Sequence, residues 1–158
     1  MTVALQVLWA LGACLANGIV FQLRREKLLY AALGGALGWL VFAGSAAFLE
    51  NEIVRYFVAT LVIALYSELL ARWKRTPATV YLIVSILPLV PGGGLYQTME
   101  FFIQGRTAQG VTQGLHTLAI AGALAMGIVL VSSSMRLFWQ SAHRRRERRQ
   151  NAKGTHSV

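Results

Sequence analysis

Charged residues are scarce in this 158-residue chain. Asp, Glu, Lys and Arg together make up 13% of it, and aspartate does not occur at all. Soluble domains usually carry about 25% charged residues. Hydrophobic residues make up 56%, and the mean hydropathy is +0.54. Long apolar runs fill most of the chain, which excludes an ordinary soluble core and predicts an all-α, polytopic membrane helix bundle.

Residues that usually carry chemistry are also few. The single cysteine, Cys14, excludes an intrachain disulfide and a cysteine-based metal site. Three histidines, two of them in the C-terminal tail, form no metal-ligand pattern. The sequence contains no paired-carboxylate site, no GxSxG and no GxxxxGK[ST]. We therefore expect no metal, no cofactor and no enzymatic activity, and any transport would be driven by gradients or exchange.

Five apolar segments are long enough to cross a membrane. They cover residues 2–22, 28–48, 53–71, 77–103 and 112–135. No Lys or Arg precedes Arg24, so the first segment lacks the basic region of a signal peptide and is expected to be a retained helix. The predicted organisation is a membrane domain at 1–140 and a basic, disordered cytoplasmic tail at 141–158.

The basic residues predict an orientation. With five spans and the N-terminus outside, 13 of the 15 Lys and Arg residues face the cytoplasm, and only Arg55 and Arg106 lie outside. Such a bias follows the positive-inside rule and favours an N-out, C-in arrangement. Four spans would leave two basic clusters on the outer side.

Small residues recur at a spacing of four in three of the spans. These are Gly12 with Ala16, Gly34 with Gly38, and the series Ala119, Ala123 and Gly127. Such spacing lets helices approach closely in lipid and predicts a compact bundle, although glycine and alanine are also simply common in membrane helices.

The fourth span contains its own helix breakers, in the sequence SILPLVPGGGLYQTM at 85–99. Pro88, Pro91 and the glycines Gly92, Gly93 and Gly94 are the poorest helix formers. Pro88 is expected some 16 Å from the cytoplasmic edge, near the membrane midplane. Broken helices at that depth form substrate sites in transporters, where freed amides meet carboxylates and freed carbonyls meet cations.

Polar residues directly after the glycines are candidate contacts for a substrate: Tyr96, Gln97 and Thr98. A simpler interpretation is a kinked helix whose glycines serve packing alone. Glu68 is a candidate coupling residue, but a carboxylate four residues before Arg72 can equally extend towards the cytoplasmic edge. His116 lies near the outer end of the fifth span and needs no function.

The C-terminal run HRRRERR at 143–149 is strongly basic. It lacks the interleaved aromatic residues that stack on nucleic acid bases. Because it directly follows a membrane helix, we expect it to contact anionic lipid headgroups rather than nucleic acid.

The segment 66–99 resembles the threonine/serine exporter family, and within it the small YjjB-like subunit that also forms the C-terminal half of fused exporters. The resemblance lies in SELLAR at 67–72, the K-x-TPATV run at 74–80, PLVPGGGLYQTM at 88–99 and TLAIAGALAMGIVL at 117–130. It implies a multi-pass protein of the bacterial cell membrane that works with a larger family subunit. The implied substrates are small carboxylate-bearing solutes, threonine and serine foremost, or C4-dicarboxylates such as succinate. A non-transporting accessory subunit is the alternative.

Overall fold

The structure, a computed structural model, describes the backbone of residues 2–154 and the side chains of residues 2–138. Its regular structure within that part is entirely helical, as the sequence predicts. The elements are α1 (Val3–Val20), α2 (Arg25–Ser45), α3 (Glu52–Trp73), α4 (Ala78–Ile86), a 3₁₀ turn (Leu87–Leu89), α5 (Gly92–Ile103) and α6 (Thr107–Gly154).

Four of these helices are long and apolar enough to cross a membrane by themselves: α1, α2, α3 and the Thr107–Phe138 part of α6. The segments Ala78–Leu89 and Gly92–Ile103 reach that length together, but they are bent by 49° at the break between them. The chain therefore has four candidate spans, or five if the bent pair counts as one.

Three helices end in the same way. The second residue after each of these helices has a φ value in the left-handed region. This value is 53° at Gln22 after α1, 50° at Arg75 after α3 and 73° at Gly105 after α5. A residue in this conformation reverses the chain and lets the following amides reach the last carbonyls of the helix. The helices are therefore joined by short, tightly closed turns.

The start of α4 differs from the sequence-based expectation in one detail. Thr76 is predicted to cap the helix, with Pro77 at its first position. In the structure Pro77 occupies the cap position, and the Thr76 hydroxyl donates to the Tyr81 hydroxyl at 3.0 Å. Within the described residues no side chain caps α4.

Helix α2 forms the centre of the bundle and packs against α1, α3 and α4. A Cβ added at Gly34 would meet Ser85 and Tyr66, and one added at Gly38 would meet Ile63. The close approach predicted for this glycine pair is therefore present. The predicted pair in α1, Gly12 with Ala16, instead lies on the exposed surface.

Helices α3 and α6 run in the same direction. His116 Nε2 lies 3.7 Å from Glu52 Oε2 near the start of both helices, and further along Gly127 packs against Thr60. Since α4 begins just after the end of α3 and α5 ends just before α6, the bent pair leads from one end of the bundle to the other.

The backbone of 141–154 continues α6, and the division into a membrane domain at 1–140 and a disordered cytoplasmic tail at 141–158 stays a prediction. Arginine, glutamate, glutamine and alanine, which dominate this segment, all have high helix propensity. The side chains of 139–154 and residues 155–158 lie outside the described part, so the predicted lipid contacts of the tail stay a prediction.

Candidate functional site

The break between α4 and α5 is built by its two prolines. Pro88 and Pro91 have no amide hydrogen, so the carbonyls of Val84 and Leu87, four residues earlier, lose their helical donors. Both carbonyls find other donors: the Cys14 thiol donates to Val84 O at 3.3 Å, and Val90 N donates to Leu87 O at 3.2 Å.

The second half of the break is a tight turn at Pro91. Its backbone angles, φ −77° and ψ 56°, are those of an inverse γ-turn, and Gly92 N donates to Val90 O at 2.7 Å. Helix α5 then begins directly with three glycines. Its first amides have no partner within the helix, and among the described residues no side chain caps them.

The three glycines have different surroundings. A Cβ added at Gly92 or Gly93 would meet nothing within 4 Å, whereas one at Gly94 would meet Thr117. Gly94 therefore packs against α6, while the other two leave the start of α5 open. The Gly92 amide is occupied by Val90 O, whereas the Gly93 amide lies in the open part of the break. The Val84 and Leu87 carbonyls are occupied.

The polar residues after the glycines are partly engaged within the chain. Thr98 Oγ1 donates to Gly94 O at 2.7 Å, and Gln113 Nε2 donates to Gln97 Oε1 at 3.1 Å. Tyr96 is 69% exposed and points away from the bundle. Of the three predicted contacts, Tyr96 is therefore the most accessible to a molecule outside this chain.

Pro88 also lines an open groove of about 300 Å³ between α1, α2 and the break. Trp9 and Trp39 form much of its wall, with Gln6 beside them. Among the described residues, the Trp39 indole N–H is buried without a hydrogen-bond partner. Pro88 therefore has one face on an apolar groove, and Gln6 is the polar side chain within it.

Glu68 lies apart from the break. Its side chain is 18% exposed, and its Oε2 lies 3.8 Å from Arg72 Nη2, as the sequence-based alternative of an i,i+4 pair expects. It lines a separate cavity near the start of α4. The proline and glycine residues of the break therefore lie together. Glu68, on α3, lies beside the start of α4, at the opposite end of that helix from the break.

Two residues at these sites carry no clear signal in the sequence. Cys14 reaches Val84 across 70 positions of the chain, and Ser67 is fully enclosed between helices. The proline at position 88 does predict that Val84 needs a donor, but only the packing of α1 on α4 identifies it. Tertiary contacts of this kind are not visible in a local pattern.

Comparisons with known proteins give the family context. The family model described as the threonine/serine exporter matches residues 6–134. A protein of Mycobacterium tuberculosis (strain ATCC 25618 / H37Rv), described as a probable threonine/serine exporter, is 29% identical over 120 residues. The match covers 75% of this chain and 22% of that relative. No solved structure matches.

The family match and the apolar helices agree with each other. An exporter requires a membrane, and four to five candidate spans supply the multi-pass architecture. The protein is a multi-pass protein of the cell membrane, and it belongs to the threonine/serine exporter family.

Proposed function

We propose that this chain is the small subunit of a bacterial secondary exporter that moves small carboxylate-bearing solutes, threonine and serine foremost. The observation that carries the proposal is the break between α4 and α5. Its 49° bend opens the start of a helix in the middle of an apolar segment. Unpaired backbone at such depth persists where protein or a water-filled cavity surrounds it.

The chemistry of the break favours an anion. The Val84 and Leu87 carbonyls, which lose their helical donors to the prolines, already accept other hydrogen bonds and are not left for a cation. The amides of α5 after Gly92, whose own amide is taken by Val90 O, are donors at the positive end of a helix, which stabilises negative charge. Open space at Gly92 and Gly93 lets a carboxylate approach this backbone closely.

The same region supports the need for a larger partner. No described residue of α5 is buried, and α5 packs chiefly against α6. The chain spans 22% of the length of its Mycobacterium relative. We propose that a larger family subunit covers the open side of α5 and completes the pathway.

The direction of the bent pair supports five spans in the proposed complex. A re-entrant loop would return to the end of the bundle from which it started. Here the chain passes from the end of α3 to the start of α6, and α3 and α6 run in the same direction. Five spans place the long basic tail on the cytoplasmic side, in keeping with the charge bias.

The rival function is that of an accessory subunit without a transport role. The exposure of α5 favours this accessory role, because Gly92 and Gly93 would then contact the larger subunit. Gly93→Leu separates the two functions, with Gly12→Leu as the matched control at another open, helical glycine. Export of labelled threonine and recovery of the complex are measured together.

Loss of export with an intact complex would support the substrate site. Loss of the complex would support docking and contradict a transport role for the break. Labelled serine and succinate, exported in parallel, test the substrate class. We propose transport rather than catalysis, because the acidic residue Glu68 and His116 lie towards opposite ends of the bundle.

A further inference from the structure

A polar cavity of about 330 Å³ lies away from the break, between the start of α4 and the second half of α6, with α3 behind it. Its size is within the range of small-molecule sites. The residues that line it include an unusual number of polar side chains for a membrane bundle: Ser67, Glu68, Thr79, Ser132 and Arg136.

Ser67 is the clearest sign that the cavity receives a ligand. The residue is 1% exposed, and among the described residues its Oγ has no hydrogen-bond partner. A buried hydroxyl without a partner costs roughly 1–3 kcal/mol. A ligand with a hydroxyl or another polar group would provide the missing hydrogen bond.

The cavity also offers groups for both signs of charge. Arg136 attracts an anion, and so does the start of α4, which no side chain of the described residues caps. Glu68 lines the same cavity, and its contact with Arg72 is long, at 3.8 Å, which leaves carboxylate lone pairs for another donor. A ligand with one carboxylate and one ammonium group matches this arrangement.

We infer that this cavity is a loading site for a free α-amino acid with a hydroxyl side chain. The carboxylate binds Arg136 and the first amides of α4, the ammonium group binds Glu68, and Ser67 and Thr79 hydrogen-bond the hydroxyl. The inference rests on the proposed export function, and it narrows the substrate class. In the proposed orientation, the cavity opens towards the cytoplasm, where an exporter takes up its substrate.

The site is separate from the break. The helical segment Ala78–Leu89 lies between them and is about 18 Å long at 1.5 Å per residue. A solute would therefore bind first at the start of α4 and later at the start of α5. At both sites the carboxylate of the solute would meet amides at the start of a helix, first α4 and then α5.

Glu68 gives the cavity its selectivity against dicarboxylates. Succinate would place a second negative charge where the amino acid places its ammonium group. Two carboxylates at close range repel each other, and this repulsion is strong where water is partly excluded. The cavity therefore favours threonine and serine over succinate.

The test measures ligand binding to the purified full chain in lipid nanodiscs, with threonine, 3-hydroxybutyrate and succinate as probes. We expect threonine to bind at least about tenfold more tightly than either acid. Glu68→Gln should weaken threonine about tenfold and leave 3-hydroxybutyrate, which has no ammonium group, unchanged. Arg136→Gln should weaken both, and Ser67→Ala, a small change, should weaken threonine several-fold.

Glu50→Gln and Arg106→Gln are the matched controls, since both residues are exposed in loops at the other end of the bundle. Both control variants should bind threonine with the affinity of the wild-type protein. The loading site is wrong if threonine does not bind, if succinate binds as tightly, or if Glu68→Gln and Arg136→Gln bind threonine normally.

Export distinguishes this site from the proposed function. Normal threonine export by Glu68→Gln and Arg136→Gln would overturn the loading site and leave the exporter role intact. Threonine binding with the expected variant effects, but no export by the wild-type complex, would overturn the exporter role and leave the binding site.

Discussion

Single residues in this protein replace the hydrogen-bond donors that its prolines remove from the helix. Pro88 deprives Val84 of a helical donor, and the thiol of Cys14, which is fully buried, replaces it. The sequence predicts the orphaned carbonyl but not its partner, because the two residues are 70 positions apart. The Gly34 and Gly38 contacts were predictable, since their spacing places both on one helix face.

Removing the thiol tests this account of Cys14. We expect Cys14→Ala to lower the free energy of unfolding by about 1–3 kcal/mol, because Val84 O would remain buried without a donor. Thermal or denaturant unfolding in detergent measures the change. Gly12→Ala, in open space on the same helix, should be neutral or stabilising. Equal effects of both substitutions would contradict the role of the thiol.

Helix packing at Gly34 gives a second residue-level prediction. An added methyl group would collide with the Ser85 hydroxyl, which donates to Ala31 O at 2.8 Å, and with the Tyr66 ring. Gly34→Ala should therefore destabilise the protein by about 1–3 kcal/mol. Gly44→Ala, on the same helix with nothing within 4 Å, should be neutral or stabilising. A stable Gly34→Ala protein in the same unfolding assay would refute the close packing.

At the scale of elements, the break was the most predictable feature. Two prolines three positions apart predict an interrupted helix, whereas the three glycines, also predicted to be helix breakers, form the first turn of α5. What the pattern could not predict is which half of the break stays open. That depends on α5 packing against α6 through Gly94 and Thr117, while Gly92 and Gly93 remain uncovered.

Restoring a helical residue at the bend should separate stability from activity. Pro88→Ala returns an amide donor to α4, so we expect stability to stay equal or rise. A straighter helix would close the start of α5, and export of threonine should fall at least about tenfold. Unfolding and export are measured on the same preparation. Normal export by a straightened variant would show that the bend has no role in transport.

At the scale of the whole molecule, composition and charge predict a membrane bundle and its orientation. The first three helices agree with the predicted segments within a few residues, whereas α6 runs from Thr107 to Gly154 and is longer at both ends than the predicted 112–135. The charge bias favours a broken span over a re-entrant loop, but the local proline–glycine pattern is compatible with both. That distinction needs the direction of α3 relative to α6, which is a tertiary property.

Topology can be mapped with introduced cysteines. We expect Glu50→Cys and Gln104→Cys to react with a membrane-impermeant thiol reagent on intact cells, and Glu26→Cys to react only after permeabilisation. Cys14 is fully buried and should contribute no background. Protection of Gln104→Cys together with Glu26→Cys would instead indicate a re-entrant loop.

Export of labelled threonine tests the central proposal most directly. Cells are compared with this chain alone, with a larger family subunit alone, and with both together. The proposed function predicts export only from the pair, and a large loss when the pair contains Pro88→Ala. Export by this chain alone would contradict the two-subunit proposal, and no export of threonine, serine or succinate by the pair would contradict the transport function itself.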